Sequence, residues 1–259
     1  MPWPIAANLS MLFTEVPLTE RIEAAASAGF DGVEIQFPYE LPAQELKSRL
    51  ESARMPLVLI NLPAADLLQG GPGLAAAPGR AAEFEQALEQ GLAYAAQVRP
   101  QRINVLPGRL VEGLSREAAL ETLAERLQRA AQAFATIGVG VTCEAINRHD
   151  MPGFVLSTSA ELLAMLERVG HANLSAQLDL YHMARMDEVP ADSIERLAGR
   201  IGHVQFADSP GRAEPGTGVL DFAGALAALE RAGYQGWLAA EYRPASSTAA
   251  SLDWLARWQ

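Results

Sequence analysis

Four side chains carrying oxygen donors stand at the ends of short apolar runs: Glu144 in "VTCEAIN", Asp179 in "LDLYH", Gln205 in "GHVQFAD" and Glu241 in "LAAEYRP". A carboxylate carried into a protein interior is costly unless it is paired, hydrogen-bonded or bound to a metal. Any one of these residues alone reads as a rim ion pair. Together, on different runs, they read as a site: three carboxylates and an amide carbonyl form a hard donor set suited to Mg2+ or Mn2+. Carboxylates are also the strong base candidates here, and no GxGxxG loop opens a helix to hold a nicotinamide, so proton transfer is expected and a nucleotide cofactor is not. His182, in the same "DLYHM" stretch as Asp179, is placed to donate a hydrogen bond to a reacting oxygen. His203 lies two residues before Gln205 and should share its side of the strand. His149 and His171 sit in loop-like sequence and take no role.

Were the ligand an anion, this acidic chain would need a counter-charge to hold it. Arg212, in the loop "SPGRAEPGTG", presents a planar guanidinium able to hold a carboxylate through two parallel hydrogen bonds, with Arg243 as its competitor. Cys143 alternates away from Glu144 and reads as a small buried residue, not a nucleophile.

These residues need a scaffold that gathers strand ends. Apolar runs beginning at Ile5, Gly32, Pro56, Arg102, Gly140, Leu174, Ile201 and Gly236 alternate with Ala/Leu/Glu/Arg-rich helical stretches, about eight units in all, the pattern of a (β/α)8 barrel. In such barrels the C-terminal strand ends carry the active site, which gives the four donors a common address. The stretch Ser115 to Ile137 places Ala119, Leu123, Leu127, Ala130 and Phe134 on one helical face, with Ser115 as N-cap and Gly138 past the end. Gly29, Gly138, Gly170 and Gly233 each punctuate a helix end. The Gly/Pro-rich loop from Asn61 to Gly79 is expected to act as a lid over one barrel mouth.

Composition fits one TIM-barrel domain over residues 1–259, 49% hydrophobic and 20% charged. A formal net charge of -11 without a basic cluster disfavours nucleic acid and anionic membranes as partners. One cysteine excludes an internal disulfide, and the start "MPWPIAANLSMLF" lacks a signal peptide's basic region, so a cytoplasmic protein is expected. Self-association into a homo-oligomer is compatible with the sequence, which does not specify it.

Beyond these readings, "AANLSMLFTEVP", "DMPGF", "DLYHM", "IGHVQFADSPGRAEPGTG" and "EYRP" resemble the hydroxypyruvate isomerase family, in the xylose-isomerase-like group of barrels beside the 2-oxotetronate isomerases and ketose 3-epimerases. The resemblance runs from Ile5 to about Trp254. It implies that Glu144 and Glu241 are the acid/base pair, that Glu144, Asp179, Gln205 and Glu241 ligate the metal, and that His182 and Arg212 contact substrate. The implied reaction interconverts hydroxypyruvate and tartronate semialdehyde through an enediolate, with a four-carbon 2-oxotetronate or a free ketose as the alternative substrate. Gln205 departs from the epimerases, which carry histidine there. Two readings from other classes compete: a DNA-repair endonuclease of the same barrel group, which calls for a histidine-rich zinc cluster and a basic surface, and a sugar-acid binding protein without turnover.

Overall fold

The structure is a computed structural model describing residues 2–258. Eight parallel strands close on themselves in sequence order: β1 (Ile5–Asn8), β2 (Gly32–Ile35), β3 (Leu57–Asn61), β4 (Arg102–Val105), β5 (Gly140–Glu144), β6 (Leu174–Asp179), β7 (Ile201–Phe206) and β8 (Leu238–Ala240). The expected barrel is what forms. The crossovers carry α1 (Leu18–Ser27), α2 (Ala43–Ala53), α3 (Ala81–Val98), α4 (Arg116–Ala135), α5 (Ser159–Val169), α6 (Leu180–Arg185), α7 (Pro190–Arg196) and α8 (Phe222–Arg231), and α9 (Leu255–Trp258) follows β8.

Alternation along each strand sorts the side chains. Outward residues such as Ile103, Val141, Cys143, Ala176 and Val204 join the main apolar core beneath the helices. Inside the barrel the lower layer is small and apolar, built from Ala6, Val58, Leu59 and Ala239, with Trp237 packed against it. Gly32 belongs to this floor because a Cβ there would stand 2.8 Å from the Trp237 ring. Above this floor the interior turns polar, as it must if chemistry is to occur at the C-terminal mouth.

The helices follow from their sequences. Ser115 accepts the Ala118 N–H at 3.2 Å and caps α4, whose Ala119, Leu123, Leu127, Ala130 and Phe134 are all buried. Replacing such a cap typically costs about 1 kcal/mol. Gly170 ends α5 in the left-handed conformation, φ 61°, and Gly29, Gly138 and Gly233 likewise have positive φ. Trp254 packs edge-to-face on Phe30 and Phe206, tying the chain end to the barrel wall. No helix among the described residues is long and apolar enough to cross a membrane.

The loop expected to be a lid is tied to its neighbours by two arginines. The Arg109 guanidinium donates to the carbonyls of Leu67 and Gly71, at 2.6 and 2.9 Å, and Arg126 donates to that of Leu74. From this loop Asn61 and Leu68, the latter 59% exposed, line the cavity.

Candidate active site

A cavity of about 860 Å3 opens at the C-terminal ends of the strands. Glu144, Gln177, His182, Arg212 and Glu241 line its floor, Phe37, Leu106, Ile146 and Met151 form an apolar side, and Arg243 stands exposed at the rim. The structure thus gathers Glu144, His182, Arg212 and Glu241 on the cavity surface. Asp179 and Gln205 are buried directly behind it.

Each reactive group is delivered by a local device. Asp179 ends β6 and caps α6: its Oδ1 accepts the Tyr181 N–H at 2.9 Å, which leaves Oδ2 free to face inward. The strand therefore passes straight into a helix within "LDLYHM", and the same turn brings His182 beside Asp179. Arg212 is delivered by the loop after β7, which is folded around the Asp208 carboxylate. Asp208 accepts backbone N–H groups from Ser209, Gly216 and Leu220 at 2.8–3.0 Å. Gly218 is required there, because a Cβ would stand 2.1 Å from the Ser209 carbonyl oxygen. Arg212 itself has φ 54°, a strained value for a residue with a side chain.

One guanidinium faces three carboxylates. Arg212 Nη2 lies 2.7 Å from Glu241 Oε2 and 3.6 Å from Asp179 Oδ2, and its Cζ sits 5.1 Å above the Tyr181 ring. The His182 Nε2 is 3.5 Å from Asp179 Oδ2 and 3.9 Å from Glu144 Oε1, and its Nδ1 is 2.7 Å from Asn147 Nδ2.

Burial, then repulsion from Glu241 and Asp179, raises the Glu144 carboxyl well above the usual carboxylate range. Burial also raises Asp179 and Glu241, with Arg212 opposing the rise in both. Burial works against the Arg212 charge, but Glu241, Asp179 and Glu144 outweigh it and the guanidinium stays firmly protonated. Burial, followed by Arg212, lowers His182 well below its ordinary value and favours the neutral ring.

Behind these groups lies a layer of which sequence reasoning singled out only Gln205 and His203. Glu34, fully buried on β2, accepts from Asn8 and Gln205 at 2.7 Å each and meets His203 Nε2 at 2.6 Å. Gln177 Nε2 donates to Gln205 Oε1 at 2.6 Å and to Glu144 Oε2 at 3.0 Å, and Asn104 adds a second 3.0 Å bond to Glu144 Oε2. Asn8 and Gln36 donate to Glu241 Oε1 at 2.9 and 2.8 Å. Glu34 sits in "GVEI", where a charge amid apolar residues was the available signal. His203 does share its side with Gln205, and both serve Glu34.

The donor set fits a hard cation. Asp179 Oδ2 is buried with no hydrogen-bond donor, and a single arginine does not balance three carboxylates. Glu144, Asp179 and His182 each place a ligand-type atom within 4.8 Å of the others. Gln205 Oε1 keeps one lone pair beyond its bond from Gln177.

The model described as "Xylose isomerase-like TIM barrel" matches residues 22–258. The chain is 40% identical over 250 residues to the hydroxypyruvate isomerase of Escherichia coli, covering 96% of this chain and 97% of that one. It is also 40% identical over 250 residues to the 2-oxo-tetronate isomerase of Cupriavidus necator, covering 96% of each. Among solved structures, one titled as an AP endonuclease, family 2, from Brucella melitensis superposes with a TM-score of 0.95 at 38% identity, covering 99% of both chains.

Proposed function

From the premise that the chain belongs to the xylose isomerase-like TIM barrel family and shares that of the hydroxypyruvate and 2-oxo-tetronate isomerases, we propose that it isomerises hydroxypyruvate to tartronate semialdehyde by carboxylate-mediated proton transfer. The supporting observation is the convergence of Glu144, Glu241, His182 and Arg212 on one cavity floor, with Asp179 directly behind.

Glu241 and Glu144 divide the work by environment. Glu241 has Arg212 at 2.7 Å, which favours its ionised form, so it is the base that takes the proton from C3 of hydroxypyruvate. Glu144, whose carboxyl is raised well above the usual carboxylate range by burial and its acidic neighbours, is the group that returns a proton to C2, and the two carboxyls are then reset by proton exchange with solvent. In between, the electron pair of the C3–H bond spreads onto the former carbonyl oxygen as an enediolate. The hydroxyl proton of C3 passes to that oxygen, leaving an aldehyde at C3. His182 donates to the oxygen that gains charge. Arg212 spends Nη2 on Glu241 and its Nε is buried, whereas Nη1 has no hydrogen-bond partner among the described residues and is the group that holds the substrate carboxylate.

Glu144, Asp179, Gln205 and Glu241 would hold Mg2+ or Mn2+, and such an ion would supply positive charge to stabilise the enediolate. The cavity has room for a three- or a four-carbon acid, so 2-oxotetronate is the second substrate. An endonuclease reading is disfavoured by the histidines: His203 is committed to Glu34, and neither His149 nor His171 lines the cavity. Proton NMR of the purified enzyme with hydroxypyruvate, 2-oxotetronate and a ketohexose in turn tests the proposal. Turnover of a keto acid supports it, and turnover of the ketohexose alone replaces it with an epimerase.

A further inference from the structure

The Asn147 side chain is held at both ends, and its orientation decides the state of a neighbour. Its Oδ1 accepts the backbone N–H groups of His149 at 3.0 Å and Asp150 at 2.9 Å. The amide nitrogen must therefore point the other way, where it meets Asp150 Oδ2 at 3.0 Å and His182 Nδ1 at 2.7 Å. Reversing the amide would set its NH2 against two N–H donors and its oxygen against a carboxylate, so the orientation follows from the partners. An amide nitrogen donates and does not accept. Nδ1 of His182 must then be the bare nitrogen of the ring, and a neutral imidazole carries its one proton on the other.

We infer that Asn147 is a positioning residue that locks His182 as the Nε2–H tautomer, making it a hydrogen-bond donor to the reacting substrate oxygen and barring it from the metal. Both residues are buried, and Nε2 has no hydrogen-bond partner among the described residues, so the N–H is available to the cavity. The ring's place within 4.8 Å of ligand atoms from Glu144 and Asp179 makes it look like a third ligand. An Nε2 that carries hydrogen has no lone pair for a metal, which leaves that site to oxygen donors. The donor role rests on the isomerase reading above; the tautomer and the exclusion from the metal do not.

The test is long-range 1H–15N correlation NMR of histidine-labelled protein, with His182 assigned by comparison with His182→Gln. The expected spectrum shows a protonated Nε2 and a bare Nδ1, unchanged on adding Mg2+ or Zn2+. A protonated Nδ1, or a Nε2 that loses its proton to Zn2+, overturns the inference. Asn147→Asp turns the clamp into an acceptor and should move the proton to Nδ1 while kcat falls about 100-fold and KM changes little, the scale for losing one preorganised donor. The double variant Asn147→Asp with Asp150→Asn keeps the bond between the two side chains and the local charge, and should show the same reversal if the single variant does not fold. An unmoved tautomer in a folded variant overturns the role of Asn147. Wild-type protein with the expected spectrum but no turnover of either keto acid would instead defeat the isomerase reading and leave the tautomer assignment standing.

Discussion

Glu34 and Asp179 are both fully buried carboxylates inside one barrel, and they live under opposite conditions. Around Glu34 the donors of Asn8, Gln205 and His203 meet both oxygens at 2.6–2.7 Å. Around Asp179 one oxygen caps a helix, and the other has only a distant guanidinium and ring nitrogen at 3.5–3.6 Å. The paired layer is scaffold, because each group in it stabilises another. The other layer faces the cavity, and within it Asp179 Oδ2 is left without a hydrogen-bond donor. Asn8 joins the two by donating to both Glu34 and Glu241, and Gln177 does so by donating to both Gln205 and Glu144. The reactive carboxylates are thus aimed by the satisfied layer beneath them.

The two layers should respond to substitution in opposite ways. Glu34→Ala should have the largest effect, because it strips the acceptor from three buried donors at about 1–3 kcal/mol each. Urea unfolding should show a loss of at least about 3 kcal/mol, and a loss below about 1 kcal/mol would mean the layer is not structural.

Glu144→Gln and Glu241→Gln should do the reverse, lowering kcat by at least about 100-fold while the fold persists. Their stability carries a further signature in metal-free protein. The folded carboxyls of Glu144, Asp179 and Glu241 are raised, so the native state binds more protons than the unfolded chain. The stability this contributes is full below a pH of about 4 and is lost as pH rises through the folded values. Glu144→Gln should therefore flatten the fall in Tm between acidic and alkaline pH, measured by calorimetry. An unaltered slope would mean that Glu144 is not among the destabilised groups.

Arg212→Ala should have a smaller effect, raising KM for a keto acid by about tenfold and leaving KM for a neutral ketose nearly unchanged, since only the acid loses a charge-assisted bond, while kcat falls for both because Glu241 loses the charge that favours its ionised form. Equal changes in steady-state KM for both would make Arg212 a structural counter-ion.

Much of this was legible before folding. Eight apolar runs separated by helical stretches predicted the barrel, and reading their C-terminal ends found Glu144, Asp179, Gln205 and Glu241. Strand limits were less clear: "GVEIQF" is strand only to Ile35, and "GWLAAEY" only from Leu238 to Ala240, because the residues beyond still look apolar while the backbone has left the sheet. His203 and Gln205 were noted together, but their pairing with Glu34 was not legible. Glu34 and His203 are 169 positions apart and become partners only when the barrel closes. Strand alternation tells which side a residue faces, but not which residue of another strand meets it. Asn147 was hidden for a related reason, since its significance depends on the loop turning back so that His149 and Asp150 hold its oxygen.

If Glu144 and Glu241 carry out the proton transfers between adjacent carbons, isomerisation in D2O reveals it. A protonated carboxyl exchanges with solvent before it delivers. Proton NMR should therefore find deuterium at C2 of the tartronate semialdehyde formed from hydroxypyruvate, at least in part, and slow entry of deuterium at C3 of recovered hydroxypyruvate. Product free of deuterium at every stage would mean that hydrogen moves without passing through Glu144 or Glu241, and would contradict the account even with the isomerase activity in hand.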